Sequence, residues 1–390
     1  MLIAISNTPR DYSWGAIDLI PALQGRVPTG APEAEIWYGD HPGSPSVTRD
    51  GRTLDVVLGE AGQPPLPFLL KLLAAGSSLS IQAHPTKAQA LAGFAREEQV
   101  GLPRDGVDRL YRDANHKPEI IVALSERFDA LVGLRPLAAT RRFVAGLGAG
   151  AASIAARLVD DERSEQTVLR EAVAWALTDA EPATVTQLAS ALDAAASDGD
   201  TAGGALAEFA DEIAVLRCAA ADFPGDAGLI VALLMNHVRL SRGEALFAPA
   251  GVLHAYQYGL GVELMAASDN VLRGGLTPKH VDVPELLRVL DARPGPAPLV
   301  TPRAVADGVW EFAPGVPDFA LTRATVSAPV ELALRGPAIV LATAGSVRVA
   351  AGAASVELGA GQGAYLGDER TVTLTGAGEA FVAQPGGDTP

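Results

Sequence analysis

The run Ser80-Ile81-Gln82-Ala83-His84-Pro85 constrains this chain more than any other stretch. In an extended segment successive side chains point to opposite faces, so Ser80, Gln82 and His84 share one side while Ile81 and Ala83 enter apolar packing. A solvent face would more often carry Lys, Glu or Thr. A hydroxyl, an amide and an imidazole in a row read instead as the wall of a cavity. Pro85, with no N–H to donate, ends the strand.

The segments around this wall predict mainly β structure. Residues 1–60 carry short strand-like pieces broken by Gly and Pro: Leu2-Ile3-Ala4-Ile5, Tyr12-Ser13-Trp14-Gly15 and Ala34-Glu35-Ile36-Trp37-Tyr38-Gly39. Such punctuation argues for an antiparallel fold. His41, in the loop Asp40-His41-Pro42-Gly43, reads as a surface histidine. From Pro67 the pattern is a buried strand, a turn at Gly76-Ser77-Ser78 and then the Ser80 strand. Lys71, between Leu70 and Leu72, is either an edge gatekeeper or a cation facing a cavity. Thr86 caps a predicted helix. After Asn115 a strand starts at Pro118, with Lys117 and Glu119 on one face.

Residues 137–240 change character, being Ala-rich, studded with Arg, Asp and Glu and almost free of strand signals. They predict a helical insertion with loops at 146–151 and 197–204, in which Cys218 and His237 are structural. Strand signals return at Gly243–Tyr256, where Pro249-x-Gly251-x-x-His254 has the pattern of double-stranded β-helix (cupin) barrels, whose histidine points inward to a metal. The strand through Glu263 leads into a loop, Ser268 to Lys279, dense in carboxylate, amide and cationic groups. Beyond about residue 297 a second β unit reads as a jelly-roll meander. It has no histidine, so no metal is expected there.

The expected architecture is therefore two cupin (jelly-roll) domains with an α-helical insertion: 1–136 plus 241–297, then 137–240 as the helical part, then 298–390. A length of 390 residues suits two or three domains. The net charge of −16 disfavours nucleic acid as a partner. A single cysteine rules out an intrachain disulfide framework and suits a reducing compartment. No apolar run is long enough to span a membrane, and a soluble, cytoplasmic protein is expected.

Gln82, His84, Glu119 and His254 make an N/O donor set suited to zinc or another divalent first-row ion. Alternatively, Gln82 and His84 line an ordinary polar pocket and His254 is a buried structural residue. Lys71, Lys117, Arg273 and Lys279 would focus the field of a cavity on an anion such as phosphate, with Ser80 adding a hydroxyl. The competing view pairs Arg273 and Lys279 with Asp269 and Glu263 on the surface.

These segments resemble the type I mannose-6-phosphate isomerases. The likeness rests on Ser80 to Pro85, Asn115-His116-Lys117-Pro118-Glu119, Pro249 to Tyr256 and Met265 to Lys279, with Tyr12 to Gly15 and Glu35 to Pro42 at the N-terminus. Asp11, Asp40 and Ala267 are small departures that could alter pocket shape. The resemblance implies a zinc enzyme, one ion per chain, that interconverts mannose 6-phosphate and fructose 6-phosphate and feeds GDP-mannose metabolism. By motif, Gln82, His84, Glu119 and His254 correspond to the zinc ligands. Ser80, Lys71, Lys117, Arg273 and Lys279 fall at phosphate or sugar contacts, with Arg273 close to the chemistry.

Such an isomerisation needs a charge sink beside the carbonyl oxygen and a proton carrier that reaches both carbons. Glu263, Lys117 and Asp269 are the candidate carriers, with Glu263 preferred because it follows His254 on one strand. Asp269 or a metal-bound water remains for ring opening. A small sugar phosphate is the expected partner of a chain expected to be monomeric, with an oligomer left open. The alternatives are an isomerase of another phosphorylated aldose, a non-catalytic sugar-phosphate-binding cupin, and an iron cupin oxygenase, which would draw its ligands from His-rich motifs.

Overall fold

Strand His254–Ala266 organises the first sheet. Its first half hydrogen-bonds to Gln82–Ala83 and Phe128–Leu134, and its second half to Phe68–Ala75 and Glu119–Ala123. The change of partners falls at Gly259, whose φ is +121° and where a Cβ would stand 2.8 Å from the Arg127 carbonyl oxygen; only glycine fits. Just before it, the register slips between Tyr256 and Tyr258. His254 and Glu263 are an odd number of residues apart, so unbroken alternation would send them to opposite faces. The bulge restores a common face, and both line one cavity.

This computed structural model describes residues 1–159, 162–197 and 204–387. The first sheet is completed by Glu35–Tyr38 beside Phe68–Ala75, Leu272–Arg273 beside Gln82–Ala83, and Ala245–Ala248 beside Glu119–Ala123. A second antiparallel sheet is built on Ala338–Ala351 and Thr371–Gln384, flanked by Ala320–Val326 and Gly363–Leu366. Its interior holds an apolar cluster with Val340, Val347, Val349, Leu374 and Val382 at its heart. The two sheets meet back to back. Ile36, Leu70, Leu72, Ile120 and Val262 of the first pack on Leu321, Ile339, Leu341 and Phe381 of the second.

The helices Leu137–Gly146, Glu165–Thr178, Pro182–Ser197, Ala210–Asp222 and Gly228–Leu234 close their Ala/Leu stripes on one core. That core includes Ile81, Ala83, Leu131 and Leu272, the outer face of the first sheet. Thr86 caps helix Lys87–Val100 by a reciprocal box with Gln89.

Several expectations need correction. Helix does not run to 240, because Met235–Leu240 is a strand on the open edge of Phe128–Leu134. Residues 1–136 do not form one unit: Leu2–Ser6 pairs with Gly363–Leu366, its apolar residues covering an edge of the second sheet. Tyr12–Gly15 is a turn closed by the Gly15 N–H on the Tyr12 carbonyl. Only Gln82–Ala83 of the Ser80 segment is regular strand, its neighbours Gly274 and Gly275 bonding Ile81 outside any ladder. Gly148–Ala151 forms a 3₁₀ turn, and the loop expected at 197–204 falls largely outside the described residues. Among the described residues no helix is long and apolar enough to cross a membrane.

Candidate metal centre and active site

His84, Glu119 and His254 come together in the interior of the first sheet, each offering one ligand atom within 4.8 Å of the others. Strand pairing brings them there. His254 stands directly opposite Gln82, and His84 follows Gln82 by two residues on the same face. His84 Nδ1 donates to the Asn270 carbonyl at 2.7 Å, and His254 Nδ1 donates to Val252 at 3.1 Å. With the proton on Nδ1, each Nε2 presents a lone pair. These atoms lie 3.3 Å and 3.2 Å from the two oxygens of Glu119.

Lone pairs therefore face lone pairs in a buried site, and the buried His84 Nε2 has no hydrogen-bond partner among the described residues. A cation between them resolves both problems, so the residues fit a metal. Burial pushes the His84 imidazole down to about 4, outweighing the pull of Glu119, so it stays neutral and ligating. Burial alone would raise Glu119, but Lys117, at 2.8 Å, holds it well below the ordinary range. Gln82 Nε2 donates to Ser80 Oγ at 3.2 Å, which leaves its carbonyl oxygen as the ligand-capable atom.

A cavity of about 620 Å³ opens on this centre, lined by Ser80, Gln82, Lys117, Glu119, His254, Lys71, Glu263, Arg273 and Lys279 among others. Lys71 is buried between Glu263 at 3.0 Å and Glu35 at 3.4 Å. Burial opposes its charge, but Glu263, Glu35 and Glu119 prevail and hold the ammonium above its ordinary range. Glu263 is pushed up by burial, with Lys71 limiting the shift and Glu119 and Glu35 adding to it. Burial and the nearby Arg112 push Arg273 down; burial, Arg273 and Arg112 push Lys279 down; and no carboxylate among the described residues opposes either shift.

A family model of the type I phosphomannose isomerase catalytic domain matches residues 2–137. The mannose-6-phosphate isomerases of Salmonella typhimurium and Escherichia coli are 33% and 32% identical, over 95% of this chain and 96% of theirs. The chain belongs to the type I phosphomannose isomerase family. It is accordingly an isomerase. Family membership extends to the backbone: a variant of the Salmonella typhimurium phosphomannose isomerase superposes with a TM-score of 0.84 at 30% identity, covering 99% of each chain. A zinc-bound mannose 6-phosphate isomerase superposes at 0.83, also at 30% identity and 99% coverage of both. The Bos taurus mannose-6-phosphate isomerase is 31% identical over 88% of this chain and 87% of its own.

Within this family fold, Asp269 alone of the candidate substrate-contacting and proton-carrying residues is absent from the cavity lining. It pairs with His41 Nε2 at 3.3 Å, and that partner draws its carboxyl below the ordinary range. His41 is no surface residue, since it stands edge-on to Trp37 with its ring largely covered. Lys71 faces the cavity from an interior strand and is not an edge gatekeeper. His237 ties down the buried Asp129 at 2.8 Å, while Cys218 is exposed. Glu35, Tyr256, Asp222 and Phe223 also line the cavity. Tyr256 was within reach of sequence reasoning, two residues after His254 on one strand; Asp222 and Phe223 lie at a helix end that only tertiary packing brings there.

Proposed function

We propose that the protein interconverts D-mannose 6-phosphate and D-fructose 6-phosphate, moving a proton between C2 and C1 through an enediolate and so supplying mannose and GDP-mannose metabolism. The observation that carries this is the acceptor-only shell of His84, His254 and Glu119 beside two cations, Arg273 and Lys279, that no carboxylate among the described residues pairs. Gln82, His84, Glu119 and His254 would hold one zinc ion. When bound, the ion supplies Lewis-acid stabilisation of charge on the sugar oxygens.

The remaining steps fall to the protein's own groups. Arg273 and Lys279, with Ser80, receive the phosphate end. Glu263 carries the proton, burial having raised its pKa above the ordinary carboxylate range, the direction a base that must also act as an acid requires. Lys71, 3.0 Å away, steadies its ionised form, and Lys117 does the same for Glu119. Asp269, anchored by His41 outside the cavity lining, is left with ring opening at most.

The test is coupled isomerase activity on mannose 6-phosphate before and after chelation, with zinc restored to the stripped protein. Loss and recovery together support both the reaction and the shell. A folded, zinc-loaded protein without turnover of mannose 6-phosphate sinks the substrate assignment, and other phosphorylated aldoses then become the candidates.

A further inference from the structure

Among the described residues, Leu276 alone of the non-glycine residues has a positive φ, at 53°. A branched L-residue rarely occupies that region, and it persists only where its surroundings impose it. What imposes it is Asp226, in the turn between helices Ala210–Asp222 and Gly228–Leu234. Asp226 Oδ1 accepts from the Leu276 N–H at 3.0 Å and from Gly228 at 2.7 Å, and Oδ2 accepts from the Thr277 N–H at 3.1 Å. Both carboxylate oxygens are thus committed to backbone, and the Leu276 side chain is buried in the helical core.

The contact is as close as backbones allow. A Cβ on Gly275 would stand 2.3 Å from Gly228 Cα, and one on Gly228 would stand 2.4 Å from Leu276 N. Two glycines from distant parts of the chain are required for this approach. A second tie lies one turn earlier, where Asp222 Oδ2 accepts the Ser78 N–H at 2.8 Å. Ser78 and Thr277 both line the catalytic cavity, on segments that carry Ser80 and Lys279.

We infer that Asp226 is a positioning residue: through the strained Leu276-Thr277 backbone it sets the place of Arg273 and Lys279, so the helical insertion serves as the clamp of the anion-binding end. This rests on the assignment of Arg273 and Lys279 to phosphate made above. Asp226 touches no substrate in this scheme. Its loss leaves the metal shell intact and lets the loop relax, which weakens the grip on phosphate while sparing the proton-transfer groups on the opposite strands.

The experiment uses full-length, zinc-loaded protein and reads four quantities: KM and kcat for mannose 6-phosphate, the Kd for inorganic phosphate by calorimetry, and zinc per chain. Asp226→Ala should raise KM and the phosphate Kd together by about tenfold, with kcat within about threefold of wild type and zinc unchanged. Asp226→Asn, which keeps one acceptor oxygen, should show a shift of roughly threefold in the same two quantities. If Asp226→Ala does not fold, the Asn variant decides. Unchanged phosphate affinity in the folded variants, or zinc and kcat lost in step with KM, overturns the inference. Arg273→Ala is the control. If it weakens phosphate and Asp226 variants do not, only the positioning role fails; if it leaves phosphate binding untouched, the phosphate assignment falls and the positioning role with it.

Discussion

The inward face of the first sheet carries Lys71, Lys117, Glu119, Glu263 and two histidines, whereas that of the second carries Val340, Val347, Val349, Leu374 and Val382. The second unit does bury carboxylates, but each is bracketed by arginines. Glu379 meets Arg242 and Arg323 at 2.6 Å each, and Glu311 meets Arg303 and Arg335. Its electrostatics are closed. In the first unit they are left open, with acceptors facing acceptors at the metal centre and Arg273 and Lys279 paired with no carboxylate among the described residues. The same architecture can be a site or a strut, and the difference lies in which charges the protein leaves for something else to complete.

Breaking the open shell should have the largest effect. Glu119→Gln removes its only anion, and zinc content should fall toward zero with turnover down on the order of 10⁴-fold. Metal analysis beside the coupled assay checks both, and retained zinc would contradict the ligand set. Next comes Glu263→Gln, which should keep zinc yet lower turnover roughly 10³-fold and abolish solvent exchange at C2. Wild-type exchange in that variant would remove Glu263 from the role.

The stripped protein offers a pH test. His84 is neutral in the fold, pushed down to about 4, while in the unfolded chain it titrates near its ordinary value of 6.5. Between those values the unfolded chain binds the extra proton, so stability falls as pH drops from about 6.5 to 4, by roughly 3 kcal/mol in all. Unfolding midpoints of metal-free protein at pH 7 and pH 5 should show the loss, and His84→Asn should flatten it. The smallest effect belongs to the closed interior. Val340→Ala should cost about 2 kcal/mol of stability and leave zinc content and kcat unchanged. A change in zinc there would mean that the two interiors are coupled.

Much of the open site was legible in the sequence because strand alternation is local. It put Ser80, Gln82 and His84 on one face, and Lys117 with Glu119, which the structure shows 2.8 Å apart. The motif order also carried the family. Pairings that depend on distant chain were not legible. Nothing near Leu2 says that it will lie beside Leu366, or near Met235 that an edge strand awaits it. Glu263 was favoured for sharing a strand with His254, yet simple alternation would have turned it outward; the bulge after Tyr256 makes the placement work. Asp269 stood beside Glu263 as a lesser candidate in sequence, and only the fold sets it against His41.

The pairing of Leu2–Ser6 with Gly363–Leu366 has a consequence for biogenesis. At about 5–20 residues per second, the first strand is made roughly 20–70 s before its partner. During that interval the first sheet and the helices can form, but the closing sheet cannot, and an apolar strand waits with only the short Val47–Thr48 pairing on one edge and the other edge bare. Protection of Leu2–Ser6 from protease should therefore appear in arrested nascent chains only once Leu366 has cleared the exit tunnel.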